Sequence, residues 1–200
     1  MNLSINKISW ATPDLHEVWR LYRASFPIGE RIRLEDYLND DIGTVELLGF
    51  YEDAMGEGKA KEGDSFVGFS IMMTYYDMTH ILYFCIEETM RGKGYGSAAL
   101  KAMADYYPGK RIMADLEDPL ENVENLEERK RRIGFYEKNG YALSDVHYVW
   151  EGEHYVMMVH GGNLTTDDFE AFWDAANHDR HVGYERMEEA VDETEITIYN

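Results

Sequence analysis

An apolar run, Ile81 to Ile86, leads into Arg91-Gly92-Lys93-Gly94-Tyr95-Gly96-Ser97, and a helical pattern follows. Alternating glycines between a strand and a helix let backbone N–H groups approach a ligand with no Cβ in the way. The helix start adds unpaired donors and a partial positive charge, so the segment suits an anion such as phosphate. Two phosphate loops are excluded by spacing. GxxxxGK[ST] is absent, and Gly92, Gly94 and Gly96 give GxGxG where a dinucleotide fingerprint needs GxGxxG. A glycine turn without a ligand is the remaining alternative, although three glycines weaken an ordinary turn for no gain.

The elements that must hold this loop follow from periodicity. Leu3, Ile5 and Ile8 predict a first strand, and Thr12-Pro13-Asp14 predicts a helix start with Thr12 as N-cap. Leu15, Val18, Leu21 and Tyr22 continue that helix towards Phe26, and a short helix is expected near Leu34 to Leu38. Val45 to Tyr51 and Phe66 to Tyr75 read as antiparallel strands joined by the Gly-rich, charged and mobile loop EDAMGEGKAKEGD. Ile81 to Ile86 has the continuous apolarity of a strand covered on both faces. Beyond the glycine loop come a helix over Ser97 to Tyr107, a strand over Ile112 to Leu116 and a charged helix over Leu126 to Asn139, ended by Gly140. Tyr141 to Trp150 and His154 to His160 form a closing hairpin across Glu151-Gly152. This order implies α/β architecture with parallel pairing inside a mixed sheet. On the short strand Asp115 and Glu117 alternate with Ala114 and Leu116, so the two carboxylates share a face.

In the tail, Asp167 with Glu170 reads as a capping box, and Phe169, Phe172, Trp173 and Ala176 make one apolar helical face. Such a face is expected to dock on its own domain or on a neighbouring subunit. A further helix is expected over Tyr184 to Val191, followed by Ile196-Thr197-Ile198-Tyr199.

Two hundred residues, 44% hydrophobic and 14% aromatic, suffice for one folded domain with an appendage. Nineteen basic against 39 acidic residues give a net charge of −20, which argues against nucleic-acid or anionic-membrane partners. Ten of the basic residues fall within residues 91–138, beside nine acids, whereas residues 162–200 carry two basic and eleven acidic residues. An anionic ligand is therefore expected at the central block. The single cysteine, Cys85, excludes an internal disulfide framework and reads as a core residue. His154, His160, His178 and His181 have no ligand spacing, so no metal is expected. No secretory signal and no membrane-spanning run is visible, which predicts a soluble, cytoplasmic protein.

A second motif, Phe135-Tyr136-Glu137-Lys138-Asn139-Gly140-Tyr141, follows the glycine loop after a helix, a strand and a helix. Together the two resemble the GNAT superfamily of acetyl-CoA-dependent N-acetyltransferases. Arg91 to Gly96 matches that family's [QR]-x-x-G-x-[GA] signature, and Phe135 to Tyr141 its aromatic-Tyr-Glu-Lys-x-Gly-aromatic run. The resemblance spans roughly residues 3–160 and implies the GNAT fold, a mixed central sheet splayed between two parallel strands with helices on both faces. The implied organisation is a GNAT domain over residues 1–161 and an acidic, mostly helical C-terminal extension over 162–200.

The resemblance also implies roles. The pyrophosphate of coenzyme A would sit on the backbone amides of Arg91, Gly92, Lys93, Gly94, Tyr95, Gly96 and Ser97, with the pantetheine arm pairing beside Phe84 and Ile86. The Ile86 N–H would face the thioester carbonyl and stabilise an oxyanion, a backbone role compatible with a core side chain. Tyr136 would be the general acid that protonates the departing sulfur; packing beside Leu126 and Ile133 is its other reading. Asn125, or Asn122, would contact pantetheine, unless it is simply a helix cap. Glu117 is the candidate base and Asp115 the candidate partner of a cationic amine, with Glu87 and Glu88 as further bases and a solvated strand end as the alternative. Arg129-Lys130-Arg131-Arg132 reads as a solvated helix face from which one side chain reaches the 3′-phosphate.

The expected function is transfer of an acetyl group from acetyl-CoA to a primary amine by direct attack. The acidic surface favours a cationic small molecule, a lysine or an N-terminus as acceptor. The alternative is a non-catalytic GNAT-like acyl-CoA-binding or sensor module. Homo-oligomerisation through the C-terminal extension is the one further association expected.

Overall fold

The computed structural model describes residues 2–39, 42–52, 64–120, 123–150, 152–179 and 197–199. They fall into two compact units. The first comprises the described residues up to Thr74 together with Ile81–Pro108, and the second Tyr75–His80 together with the described residues from Gly109 onward. The expected helix over Tyr184 to Val191 and most of the loop EDAMGEGKAKEGD lie outside the described residues.

In the first unit the strand order is β1 (Leu3–Lys7), β2 (Val45–Glu52), β3 (Phe66–Tyr75) and β4 (Met78–Ile86). β1 runs antiparallel to β2 from Leu3↔Glu52 to Lys7↔Leu48, and β2 antiparallel to β3 from Val45↔Met73 to Tyr51↔Phe66. Val67 to Met73 are buried without a break, the pattern of a strand covered on both faces. Helix α1 (Leu15–Ser25) buries Leu15, Val18, Leu21 and Tyr22, the stripe read from the sequence. Tyr22 packs edge-on against Phe69 and Tyr83, and Phe26 against Tyr83. Asp14, not Thr12, is the N-cap of α1. The Thr12 hydroxyl accepts from the Ser9 N–H at 2.9 Å, closing the turn before the helix, so its side chain does not serve α1. Short α2 (Leu34–Leu38) buries Leu34 and Tyr37, and α3 (Tyr95–Tyr106) buries Ala99, Leu100 and Met103.

In the second unit the first residues of β4 pair parallel with β5 (Arg111–Glu117), from Met78↔Arg111 to His80↔Met113. This is the parallel pair of a mixed sheet. β5 is followed in space by β7 (Glu153–His160), β6 (Ala142–Trp150) and β8 (Thr197–Tyr199), all antiparallel to their neighbours. Between β5 and β6 in the chain lies α4 (Leu126–Lys138), which ends at Gly140 with φ +83.

Helix α5 (Thr166–Asp179) buries Phe169 and Phe172 within this unit. Phe172 meets Tyr75 and His80 edge-on, and Phe169 lies against Tyr148. Its capping box is set two residues earlier than expected. The Thr165 hydroxyl accepts from the Asp168 N–H at 3.2 Å, and Asp168 accepts from the Thr165 N–H at 3.1 Å. Asp168 also receives Arg111 of β5 at 2.7 Å, which ties the helix start to the sheet. No described helix is long and apolar enough to cross a membrane.

Candidate active site

The glycine loop is built by the end of β4, a single 3-10 turn over Glu88–Met90, and the start of α3. Gly92 and Gly94 are left-handed, with φ +73 and +92, and a Cβ at either would meet none of the described residues within 4 Å. Both positions need glycine for conformation, and the space before them is open. Gly94 is the N-cap of α3 and offers no side-chain cap, so the first amides of that helix, around Tyr95, Gly96 and Ser97, lack a side-chain acceptor. Lys93 is exposed beside them. The Tyr95 hydroxyl donates to Glu52, so this residue contributes its backbone, not its ring, to the loop.

Arg91 turns back along the chain. Its Nε donates to the Ile86 carbonyl at 2.9 Å, and Nη2 lies 3.4 Å from Ser25 Oγ and 3.6 Å from Cys85 Sγ. Cys85 itself donates to Ser25 Oγ at 2.9 Å; burial pushes its thiol up, against the opposing pull of Ser25 and Arg91, as suits a core residue. Ile86 is buried, and Phe84 is half-buried against Phe50. Glu87 is ion-paired with Arg20 of α1, so that candidate base is already engaged.

In the second unit Tyr136 of α4 is 7% exposed, with its ring against Phe135 and Tyr141. Burial pushes its phenol well above the ordinary range, the negative charge of Asp115 adds to the push, and Arg132 offsets part of it. The group is a protonated donor at any physiological pH.

Asp115 uses both carboxylate oxygens. Oδ1 accepts from His80 Nε2 at 2.9 Å, and Oδ2 from the Tyr148 hydroxyl at 2.8 Å. Burial alone would raise its carboxyl, but the facing His80 and these two hydrogen bonds outweigh it and hold the group below the usual carboxylate range. His80 is 3% exposed, and its Nδ1 is buried without a partner among the described residues, an omission worth about 1–3 kcal/mol. Phe172 and Trp173 of α5 flank its ring.

Neither His80 nor Tyr148 stands out when the sequence is read from Ile81; the available signal for His80 is a histidine at the third position of a largely apolar strand, β4. Glu117 shares the face of Asp115, as alternation predicts, but pairs with Arg132 at 3.0 Å and Arg129 at 3.5 Å. Arg129 departs from the solvated face expected for residues 129–132. It is 6% exposed, donating to Asn125 Oδ1 at 2.7 Å and to the Asp118 carbonyl at 3.0 Å, and pairing with Glu153 at 3.1 Å. Asn125 makes no side-chain cap to α4; its amide oxygen is taken by Arg129. Asn122 lies outside the described residues. Among those residues no group of three or more His, Cys, Asp or Glu is placed to hold a metal ion.

Residues 59–143 match the family model described as the acetyltransferase (GNAT) domain. A GNAT-family protein from Bacteroides thetaiotaomicron superposes with a TM-score of 0.64 at 24% identity, over 84% of this chain and 92% of that one. The fold is the GNAT fold. The ribosomal-protein alanine N-acetyltransferase of Escherichia coli shares it at TM-score 0.54 and 13% identity, over 83% of this chain and 97% of its own. An aminoglycoside 6′-N-acetyltransferase solved with coenzyme A does so at 0.55 and 17%, over 78% and 94%. No curated protein matches the chain in sequence.

Proposed function

We propose that the chain moves an acetyl group from acetyl-CoA to a primary amine by direct attack, with no covalent enzyme intermediate. The observation that carries this reading is the start of α3, where glycine-shaped backbone leaves amide donors uncapped in front of open space. A diphosphate accepts several such hydrogen bonds and is favoured by the helix dipole. The similarity to an aminoglycoside acetyltransferase solved with coenzyme A supports the same choice of ligand.

Attack by a neutral amine moves the carbonyl electron pair onto oxygen, where a backbone N–H stabilises it. Collapse breaks the carbon–sulfur bond, the Tyr136 proton goes to sulfur, and the proton lost by nitrogen restores the phenol. Tyr136 suits the donor role because its phenol stays protonated. With a net charge of −20, the surface concentrates cationic acceptors such as a polyamine, an aminoglycoside-like amine or a lysine side chain.

A second reading, an acyl-CoA-binding module without turnover, draws support from the carboxylates. Glu117 and Glu87 are each held in an ion pair and Asp115 in hydrogen bonds with His80 and Tyr148, so none stands ready as a bare base. Calorimetry with coenzyme A, followed by thiol release from acetyl-CoA across a panel of amines, separates the readings. Binding with amine-dependent release that Tyr136→Phe abolishes supports the enzyme, and binding with no release supports the module. Absence of binding sinks both.

A further inference from the structure

Coenzyme binding and oxyanion stabilisation both rest on main-chain groups, and a single side chain joins them. We propose that Arg91 is a positioning residue, with Gly68 as its counterpart. Its guanidinium latches the end of β4 so that the Ile86 N–H is held in one direction, and it does not serve as a phosphate ligand. The inference rests on the oxyanion role given to that N–H above.

Two consecutive peptide groups decide where the Ile86 N–H points. The Ile86–Glu87 peptide is held at both ends: its carbonyl accepts from Arg91 Nε at 2.9 Å, and its N–H donates to the Val67 carbonyl at 2.8 Å. The Glu87 amide is thereby spent, and the preceding peptide can be re-aimed only by coupled rotation about Cys85 ψ and Ile86 φ. That preceding Cys85–Ile86 peptide carries the N–H in question. Its carbonyl lies so close to β3 that a Cβ on Gly68 would stand 2.2 Å from Cys85 O and 3.0 Å from Ile86 Cα. Gly68 therefore makes room for this carbonyl, and the arginine locks the next one. Both planes are set before any ligand arrives, which is the preorganisation that gives an oxyanion donor its effect.

The same contacts argue against a phosphate role for the guanidinium. Its Nε is directed at Ile86 O, and Nη2 lies against Ser25 Oγ and Cys85 Sγ. A latch needs a donor at the Nε position, not a charge. Glutamine carries its amide nitrogen at the same number of bonds from Cα, so it can make the Ile86 contact without a positive charge. Alanine can do neither.

The test compares Arg91→Ala, Arg91→Gln and Gly68→Ala in the full chain. Coenzyme A affinity is read by calorimetry, turnover by thiol release at saturating acetyl-CoA with the best amine of the panel, and exchange of the Glu87 amide by NMR without coenzyme. The expected result for Arg91→Ala is affinity within about threefold of the parent, turnover down about 10²-fold, the scale of a lost oxyanion donor, and faster Glu87 exchange. Arg91→Gln should recover most of the turnover and the protection. Gly68→Ala, if it folds, should reproduce the loss of turnover with affinity kept.

The proposal is overturned if Arg91→Ala weakens coenzyme A about tenfold while saturated turnover survives, or if Arg91→Gln is no better than Arg91→Ala. Unchanged Glu87 exchange overturns it as well. Should the parent protein bind no coenzyme A, the enzymatic reading falls, and the exchange measurement still judges the latch.

Discussion

The glycine loop and the Tyr136–Asp115 region are built in different ways. In the loop it is the main chain that is shaped, by left-handed glycines at 92 and 94, and the exposed Arg91 side chain folds back onto the Ile86 carbonyl. Around Asp115 the interacting groups are side chains. His80 and Tyr148 are buried and Asp115 is half-buried, and each depends on a partner from another element: His80 from β4, Tyr148 from β6, with α5 packed on both. A backbone site tolerates changes of side chain but not of conformation. A site of buried side chains is the reverse, because a charge or polar group left without its partner is costly.

The largest effect tests the side-chain half of this contrast. Tyr136→Phe should lower turnover about 10²–10⁴-fold with coenzyme A affinity unchanged by calorimetry. A variant that turns over normally would remove Tyr136 from the chemistry and blur the contrast. Phe172→Ala, which strips a fully buried ring from above His80, should cost about 3–5 kcal/mol in denaturant unfolding.

The contrast also has a pH signature. Asp115 and Asp168 are both held below their unfolded values, Asp115 against its burial by His80 and Tyr148, Asp168 chiefly by Arg111. Their stabilisation is complete above the unfolded carboxylate pKa of about 4 and is lost as pH falls below it towards the folded values. Unfolding midpoints should therefore be level from pH 7 to 5 and drop below about pH 4, with a shallower drop in Asp168→Asn.

On the backbone side, Gly94→Ala places a side chain at φ +92 in open space, so its cost is conformational, about 1–2 kcal/mol, and should be seen in both stability and coenzyme affinity. The smallest effect is Lys101→Ala. Its ion pair with Asp105 is exposed on both sides, and the change should stay within about 0.5 kcal/mol in the same assay.

Much of the architecture was legible in the residues because its signals are local. The stripe of α1, the continuous apolarity before the loop, Gly140 after α4 and the closing hairpin each report short-range sterics or burial over a few residues. The errors came where side chains chose partners that local pattern does not name. Thr12 turned to Ser9, the α5 capping box formed at Thr165 and Asp168, and Arg129 left the expected solvated face for Asn125, Asp118 and Glu153.

By itself the chain of residues determined that a left-handed glycine turn lies between a buried strand and a helix, since glycine is what that geometry favours. It also determined which tyrosine follows on a later helix. Tertiary structure alone decided that Asp115 is spent on His80 and Tyr148, that Glu117 is held by two arginines, and that Arg91 faces Ile86. Those outcomes depend on which groups from distant elements the packing brings together, and pairing energies of this kind exist only once the elements have packed.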